Sequence, residues 1–212
     1  MLIITGTDTD VGKTVFAAML TLALNGVYWK PVQAGTAGGT DTARVRALTG
    51  LDDSHVRPEA YVLGEPLSPH RAAELDGVTL DLARIATPPA VDNGRTLIVE
   101  GAGGVLVPLT RDTLFIDVFA RWRAPVVICA RTRLGTINHT LLTVEALRRR
   151  ALPIAGIAFI GDPVPDTERT IADIANVPAL GRLPHLPTLD RDTLIEAFHA
   201  HFRPADFAEA AA

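Results

Sequence analysis

Ile4-Thr5-Gly6-Thr7-Asp8-Thr9-Asp10-Val11-Gly12-Lys13-Thr14 decides how this chain is read. The apolar run Leu2-Ile3-Ile4 precedes it and a helical pattern from Thr14 to Leu24 follows, so the stretch joins a strand to a helix. A loop of this kind closes backbone N–H groups and a helix N-terminus around phosphates, while its lysine adds charge and its threonine a magnesium ligand. The spacing departs from the strict pattern G-x-x-x-x-G-K-[ST], which puts its first glycine at position 7. That position holds Thr7, and Gly6 lies one residue early. The strand–loop–helix context nevertheless makes this a nucleotide site.

Working outward, the 212 residues and 48% hydrophobic content suit one domain, residues 1–212, with a sizeable core. The alanine-rich end, about 204–212, is expected to fray. A net charge of −4 with scattered basic residues gives no footprint for nucleic acid. No apolar run approaches the roughly 18 residues needed to cross a bilayer, and no basic-then-apolar leader precedes the first strand. The single cysteine, Cys129, lies in the apolar run Pro125–Cys129 and is read as a core residue. A cytoplasmic, reducing setting is therefore expected. Of the 20 lysines and arginines only Lys13 and Lys30 are lysines. Codon bias explains the arginine excess but not these two exceptions. A compact ammonium approaches a single oxygen more closely than a planar guanidinium, which makes both lysines functional candidates.

Val27 to Val32 reads as a second strand ended near Pro31, so Lys13 and Lys30 both follow strands. Ligands of open parallel sheets gather at the carboxyl ends of strands, where the two ammonium groups can converge. Thr40-Asp41 opens a helix, and by residue type alone Asp41 reads as a cap before it reads as a metal ligand. Residues 51–70 lack periodicity and read as loop, followed by short helices near 69–75 and 80–86. Leu97-Ile98-Val99-Glu100 delivers a carboxylate at a strand end, as a magnesium-binding acid requires, and Gly101-Ala102-Gly103-Gly104 lets backbone approach a ligand. Beyond it lie a helix over 114–122, a strand over 125–130 and a helix starting near Gly135-Thr136-Ile137-Asn138. By sequence alone that start reads as ordinary capping, ahead of anion binding through its free N–H groups. A strand over 153–160, a helix over 167–175, a short strand over 179–184 and a helix over 190–202 close the pattern. The alternation specifies an α/β fold of the phosphate-loop type, a mostly parallel sheet with helices on both faces.

With these stretches in place, the chain resembles the dethiobiotin synthetases, ATP-dependent enzymes of biotin synthesis. The carriers are Gly6 to Thr14, Trp29-Lys30-Pro31-Val32 and Val99 to Gly104, supported by Pro66-Leu67-Ser68-Pro69-His70, Leu134 to His139 and Leu180-Gly181-Arg182-Leu183-Pro184. The early Gly6 is the form this family uses. The resemblance implies that 7,8-diaminononanoate, carbon dioxide and ATP give dethiobiotin, ADP and phosphate, through a carbamate and a carbamic–phosphoric anhydride. It implies Lys13 on the phosphates, and amides from Asp10, Val11, Gly12, Lys13, Thr14 and Val15 around the nucleotide. Thr14, Asp41 and Glu100 hold Mg2+, with Gly101, Ala102 and Gly103 beside them. Lys30 faces the carbamate, and Thr9 and position 34 contact the substrate. Asp41 thereby becomes a ligand rather than a cap. The resemblance further implies a homodimer with a shared site, in which the Gly135, Thr136, Ile137 and Asn138 segment of a partner subunit is expected to receive the substrate carboxylate. Two positions depart from the family: Ala34 lacks the usual hydroxyl, and Phe159-Ile160-Gly161-Asp162 lacks the Asn-Asp pair that reads adenine. Base recognition is then expected from backbone together with Leu183, Pro184 and His185.

Two rival readings belong beside this one. A phosphate-loop small-molecule kinase would use Arg131 and Arg133 as phosphate clamps and need no bicarbonate. A nucleotide-dependent switch would bind a protein or a membrane, yet neither lysine stands in a guanine-reading motif and no basic amphipathic helix is evident.

Overall fold

The structure, a computed structural model, describes residues 1–92 and 94–211. Its strands are β1 (Leu2–Gly6), β2 (Val27–Trp29), β3 (Val32–Ala34), β4 (Val56–Arg57), β5 (Tyr61–Leu63), β6 (Leu97–Gly104), β7 (Val126–Arg131), β8 (Ile154–Ile160) and β9 (Ala179–Leu183). Its helices are α1 (Lys13–Ala23), α2 (Asp41–Thr49), α3 (Pro69–Asp76), α4 (Ala83–Ala86), α5 (Phe115–Trp122), α6 (Thr136–Arg149), α7 (Pro165–Ala175), α8 (Arg191–His201) and α9 (Pro204–Ala211). Seven strands form one sheet in the order β4-β2-β6-β1-β7-β8-β9, every pair parallel.

The apolar runs are continuous because both faces of the sheet are covered. In β1, Leu2 and Ile4 join one core with Phe16, Val45 and Phe198, contributed by α1, α2 and α8. Ile3 points to the other core, with Phe115, Phe119, Val144 and Ile171 of α5, α6 and α7. Cys129 is buried in the first core, and burial pushes its thiol pKa up, as befits a packing residue. The chain leaves β1 for β2, returns to place β6 between them, and later adds β7 on the far side of β1. Helical crossovers therefore diverge around β1, and the carboxyl ends of β1, β2 and β6 open onto one crevice.

Several elements differ from the expectation. The single strand expected over Val27–Val32 is two. Pro31 has no N–H for the ladder, so β2 stops at Trp29 and β3 pairs instead with β5 in a separate two-stranded sheet. The expected loop over 51–70 contains a 3-10 turn at Asp53–His55 and the strands β4 and β5, too short to show periodicity. The helix expected near 80–86 is confined to Ala83–Ala86. The tail expected to fray is helical over Pro204–Ala211, and Ala212 lies outside the described residues. Phe207, fully buried against Phe16, Phe198 and Phe202, anchors it.

Candidate functional site

The loop after β1 is held from both ends. Thr7 N–H donates to the Cys129 carbonyl (3.0 Å) of β7, and Phe16 N–H to the Gly12 carbonyl (3.0 Å). Gly12 sits just before α1 at φ 97°, a left-handed conformation that suits glycine. The early glycine has its own steric reason. A Cβ on Gly6 would lie 2.7 Å from the Asp8 carbonyl, 2.8 Å from Val11 Cγ2 and 3.0 Å from Lys13 Nζ. The loop can thus fold back over the strand end, and Lys13 Nζ donates to the Asp8 carbonyl at 3.1 Å. The first amides of α1 have no intrahelical acceptor and face this concavity, which suits an anion.

Around the loop lies a cavity of about 980 Å³, whose lining includes Thr9, Asp10, Gly12 to Val15, Lys30, Ala34, Asp41, Glu100, Ala102 and Gly103. Glu100, 1% exposed, ends the apolar part of β6. It accepts from Thr14 Oγ1 (2.9 Å), Lys30 Nζ (3.0 Å) and Tyr28 Oη (2.9 Å). Lys30, 4% exposed, also pairs with Asp41 at 2.6 Å. Three separate stretches of sequence thus meet on one ammonium and two carboxylates.

The charges bear on one another. Burial depresses the Lys13 pKa, with Lys30 repulsion adding to the effect and Glu100 attraction opposing it. Burial acts on Lys30 in the same sense, yet Glu100 and Asp41 outweigh it and its pKa stands above the ordinary value. Burial would raise the Asp41 carboxyl, but the Lys30 ammonium holds it below the usual carboxylate range. Burial and the neighbouring Glu100 push the Tyr28 phenol well above its ordinary pKa, so it remains a proton donor. Lys13 is therefore the less neutralised of the two cations, which suits it to an anionic ligand.

Asp41 does not cap α2; Thr40 does, accepting from Ala43 N–H at 3.1 Å. Instead the Asp41 amide donates to Gln33 Oε1 (3.0 Å), and Gln33 Nε2 donates to the carbonyls of Ala34 (3.2 Å) and Gly35 (2.9 Å). Gln33 and Tyr28 were not singled out from sequence. Their types signal nothing, although Tyr28 stands two residues before Lys30 and so on the same strand face.

Not every candidate lines this cavity. Gly101 is not part of its lining, and a Cβ there would sit 2.8 Å from Phe119 Cζ, so helix–sheet packing alone requires a glycine at this position. Gly103, at φ 60°, does line it. A second pocket of about 520 Å³, sharing Asp10, Gly12 and Val15 with the first, is lined by Val11, Leu183, Pro184 and His185 together with Arg131, Arg133 and Asp162. Arg131 donates to the Thr9 carbonyl, so it buttresses the loop, and neither Arg131 nor Arg133 lines the main cavity. Gly135, in left-handed backbone, starts α6 without a side-chain cap, and Thr136, Ile137 and Asn138 follow outside the lining of the main cavity.

The donor set fits a hard divalent cation. Thr14, Asp41 and Glu100 offer oxygen only, and the described residues hold no cluster of three or more His, Cys, Asp or Glu that would cage a metal unaided. Magnesium is bound in this way, by one or two carboxylates completed by substrate phosphates and water.

A phosphate loop at the carboxyl ends of a parallel sheet, with an acid on the adjacent strand, defines the protein as a phosphate-loop nucleotide-binding α/β domain. Solved structures agree on the fold. The septum site-determining protein MinD complexed with Mg-ADP from Pyrococcus horikoshii matches with TM-score 0.54 at 16% identity, over 93% of this chain and 86% of that one. The MinC:MinD complex from Aquifex aeolicus matches with TM-score 0.53 at 14% identity, over 92% and 85%. A family model described as an AAA domain matches residues 1–193. Among curated proteins, the ATP-dependent dethiobiotin synthetase BioD of Novosphingobium aromaticivorans is 61% identical over 97% of this chain and 98% of its own length. That of Rhizorhabdus wittichii is 59% identical over 98% of each. That of Rhodopseudomonas palustris (strain HaA2) is 58% identical, over 97% and 95%. The chain belongs to the ATP-dependent dethiobiotin synthetase family.

Proposed function

We propose that this chain catalyses the ATP-dependent formation of dethiobiotin from 7,8-diaminononanoate and carbon dioxide, in biotin biosynthesis. Full-length identity to synthetases of that name supports the reaction. The observation that carries the chemistry is the convergence of Lys13, Lys30, Thr14, Asp41 and Glu100 on one cavity beside the loop.

One amine of the substrate attacks carbon dioxide and loses a proton, giving a carbamate. The carbamate oxygen attacks the γ-phosphorus of ATP, and ADP leaves. The second amine attacks the carbonyl carbon of the resulting anhydride, phosphate leaves, and the ureido ring closes. Such phosphoryl transfer depends on positioning and on neutralising spread charge. Lys13 and the amides from Asp10 to Val15 hold the phosphates, and Lys30 stands over the carbamate and the transferred group. Thr14, Asp41 and Glu100 hold Mg2+, which when bound neutralises phosphate charge. Thr9 and the backbone around Ala34 meet the diamine, and Leu183, Pro184 and His185 line the place of the base.

The homodimer belongs to the proposal as well. The start of α6 does not reach the cavity of its own protomer, which agrees with its serving a partner. The reading places the enzyme in the cytoplasm; none of the helices is long and apolar enough to cross a membrane, among the described residues.

Nucleotide turnover with the diamine, with and without bicarbonate, tests the proposal when followed by mass analysis. Phosphate release needing both substrates and yielding the cyclic urea is expected. Turnover without bicarbonate, or a stable phosphorylated product, would replace it with the kinase reading.

A further inference from the structure

The two oxygens of Glu100 are engaged from different sides. Oε1 accepts from Thr14 and from Lys30, both of which line the cavity. Oε2 accepts from the Tyr28 hydroxyl at 2.9 Å, and Tyr28 is fully buried and not part of the lining. Strand geometry produces this arrangement. In the parallel pair of β2 with β6, Tyr28 is opposite Ile98 and Trp29 opposite Val99, so the chain brings Lys30 level with Glu100. Tyr28 in β2 and Lys30 just beyond its end, two residues apart, bracket the carboxylate, one from beneath the cavity floor and one from the cavity side.

The Tyr28 ring lies in the core with Phe16, Val45 and Ile98, where a phenylalanine would pack as well. Its hydroxyl makes a single hydrogen bond among the described residues, to Glu100. Without that bond the carboxylate is free to rotate and present both oxygens to the Lys30 ammonium, which carries three donors. We infer that Tyr28 is a positioning residue, which fixes the rotation of Glu100 so that the carboxylate serves magnesium rather than closing onto Lys30. The inference rests on the proposed role of Glu100 at the metal. Hydrogen-bond partners behind a metal-holding carboxylate matter at the level of 10- to 100-fold in affinity, as a rough guide.

Tyr28→Phe tests this by ADP binding in a calorimeter, with Mg2+ and with a chelator. The wild-type chain is expected to bind ADP more tightly with Mg2+. In Y28F that enhancement is expected to fall on the order of 10-fold, with the affinity in chelator unchanged. In a Glu100→Gln background, Tyr28→Phe is expected to have no further effect on the magnesium dependence. An equal loss with and without Mg2+ would mark a merely structural role and overturn the inference. So would full retention of the enhancement in Y28F, or a wild-type affinity indifferent to magnesium. The readout involves neither diamine nor bicarbonate, so failure of the dethiobiotin reaction would be seen separately.

Discussion

Lys30 illustrates what one side chain does here. Its ammonium is 2.6 Å from Asp41 and 3.0 Å from Glu100, so two carboxylates are held apart by the cation between them. A guanidinium keeps the charge but is planar and wider, and it cannot take the place of a point ammonium held at 2.6 and 3.0 Å between two carboxylates. Lys30→Arg is accordingly expected to lower kcat on the order of 10²-fold, the usual scale for losing one preorganised donor at a reacting group. Steady-state turnover measures it, and an unimpaired variant would refute the close approach assigned to Lys30. Lys13 differs in kind: it is buried, its pKa is lowered, and its ammonium donates to a loop carbonyl instead of joining the Lys30 ion pairs.

At the scale of elements, the site depends on how strand ends and helix starts are tied together. Pro31 ends β2 and passes the chain to β3, so Lys30 emerges at the break while Ala34 reaches the cavity wall. Gln33 then clasps the turn: one side chain accepts from the Asp41 amide and donates to two carbonyls. Gln33→Leu would keep much of the volume and remove three half-buried hydrogen bonds, at roughly 0.5–1.5 kcal/mol each. The expected result is a lower thermal midpoint together with a raised KM for ATP, because Asp41 would lose its fixed position. A variant with wild-type midpoint and KM would show the clasp to be dispensable. None of this was legible beforehand, since a glutamine in a glycine- and threonine-rich stretch has no periodic signature.

At the scale of the molecule, two cores on opposite faces hold the sheet, and the terminal helix belongs to one of them. Phe207 closes an aromatic cluster with Phe16, Phe198 and Phe202, and Phe16 stands in the helix that carries Lys13. Phe207→Ala should cost about 3–5 kcal/mol in a chemical unfolding experiment, where a fraying tail would cost almost nothing. The alanine-rich composition of the last residues concealed this, because one well-placed ring outweighs the residues around it.

By itself, the sequence determined the α/β class, the phosphate loop and the order of most strands and helices, and it offered Lys13, Thr14, Lys30 and Glu100 as candidates, which Asp41 joined only through the family resemblance. It could do so because strand and helix periods and loop spacing are local properties, and because the loop, the Lys30 stretch and the Glu100 stretch each carry a recognisable pattern. Only the tertiary structure decided that these stretches meet. Insertion of β6 between β1 and β2 joins residues 14, 28, 30 and 100, and no local pattern encodes that neighbourhood. It also set Gly101 against Phe119, and brought Tyr28 and Gln33 into the site. Their roles come from partners far along the chain or across a turn, and such contacts exist only once the sheet has formed.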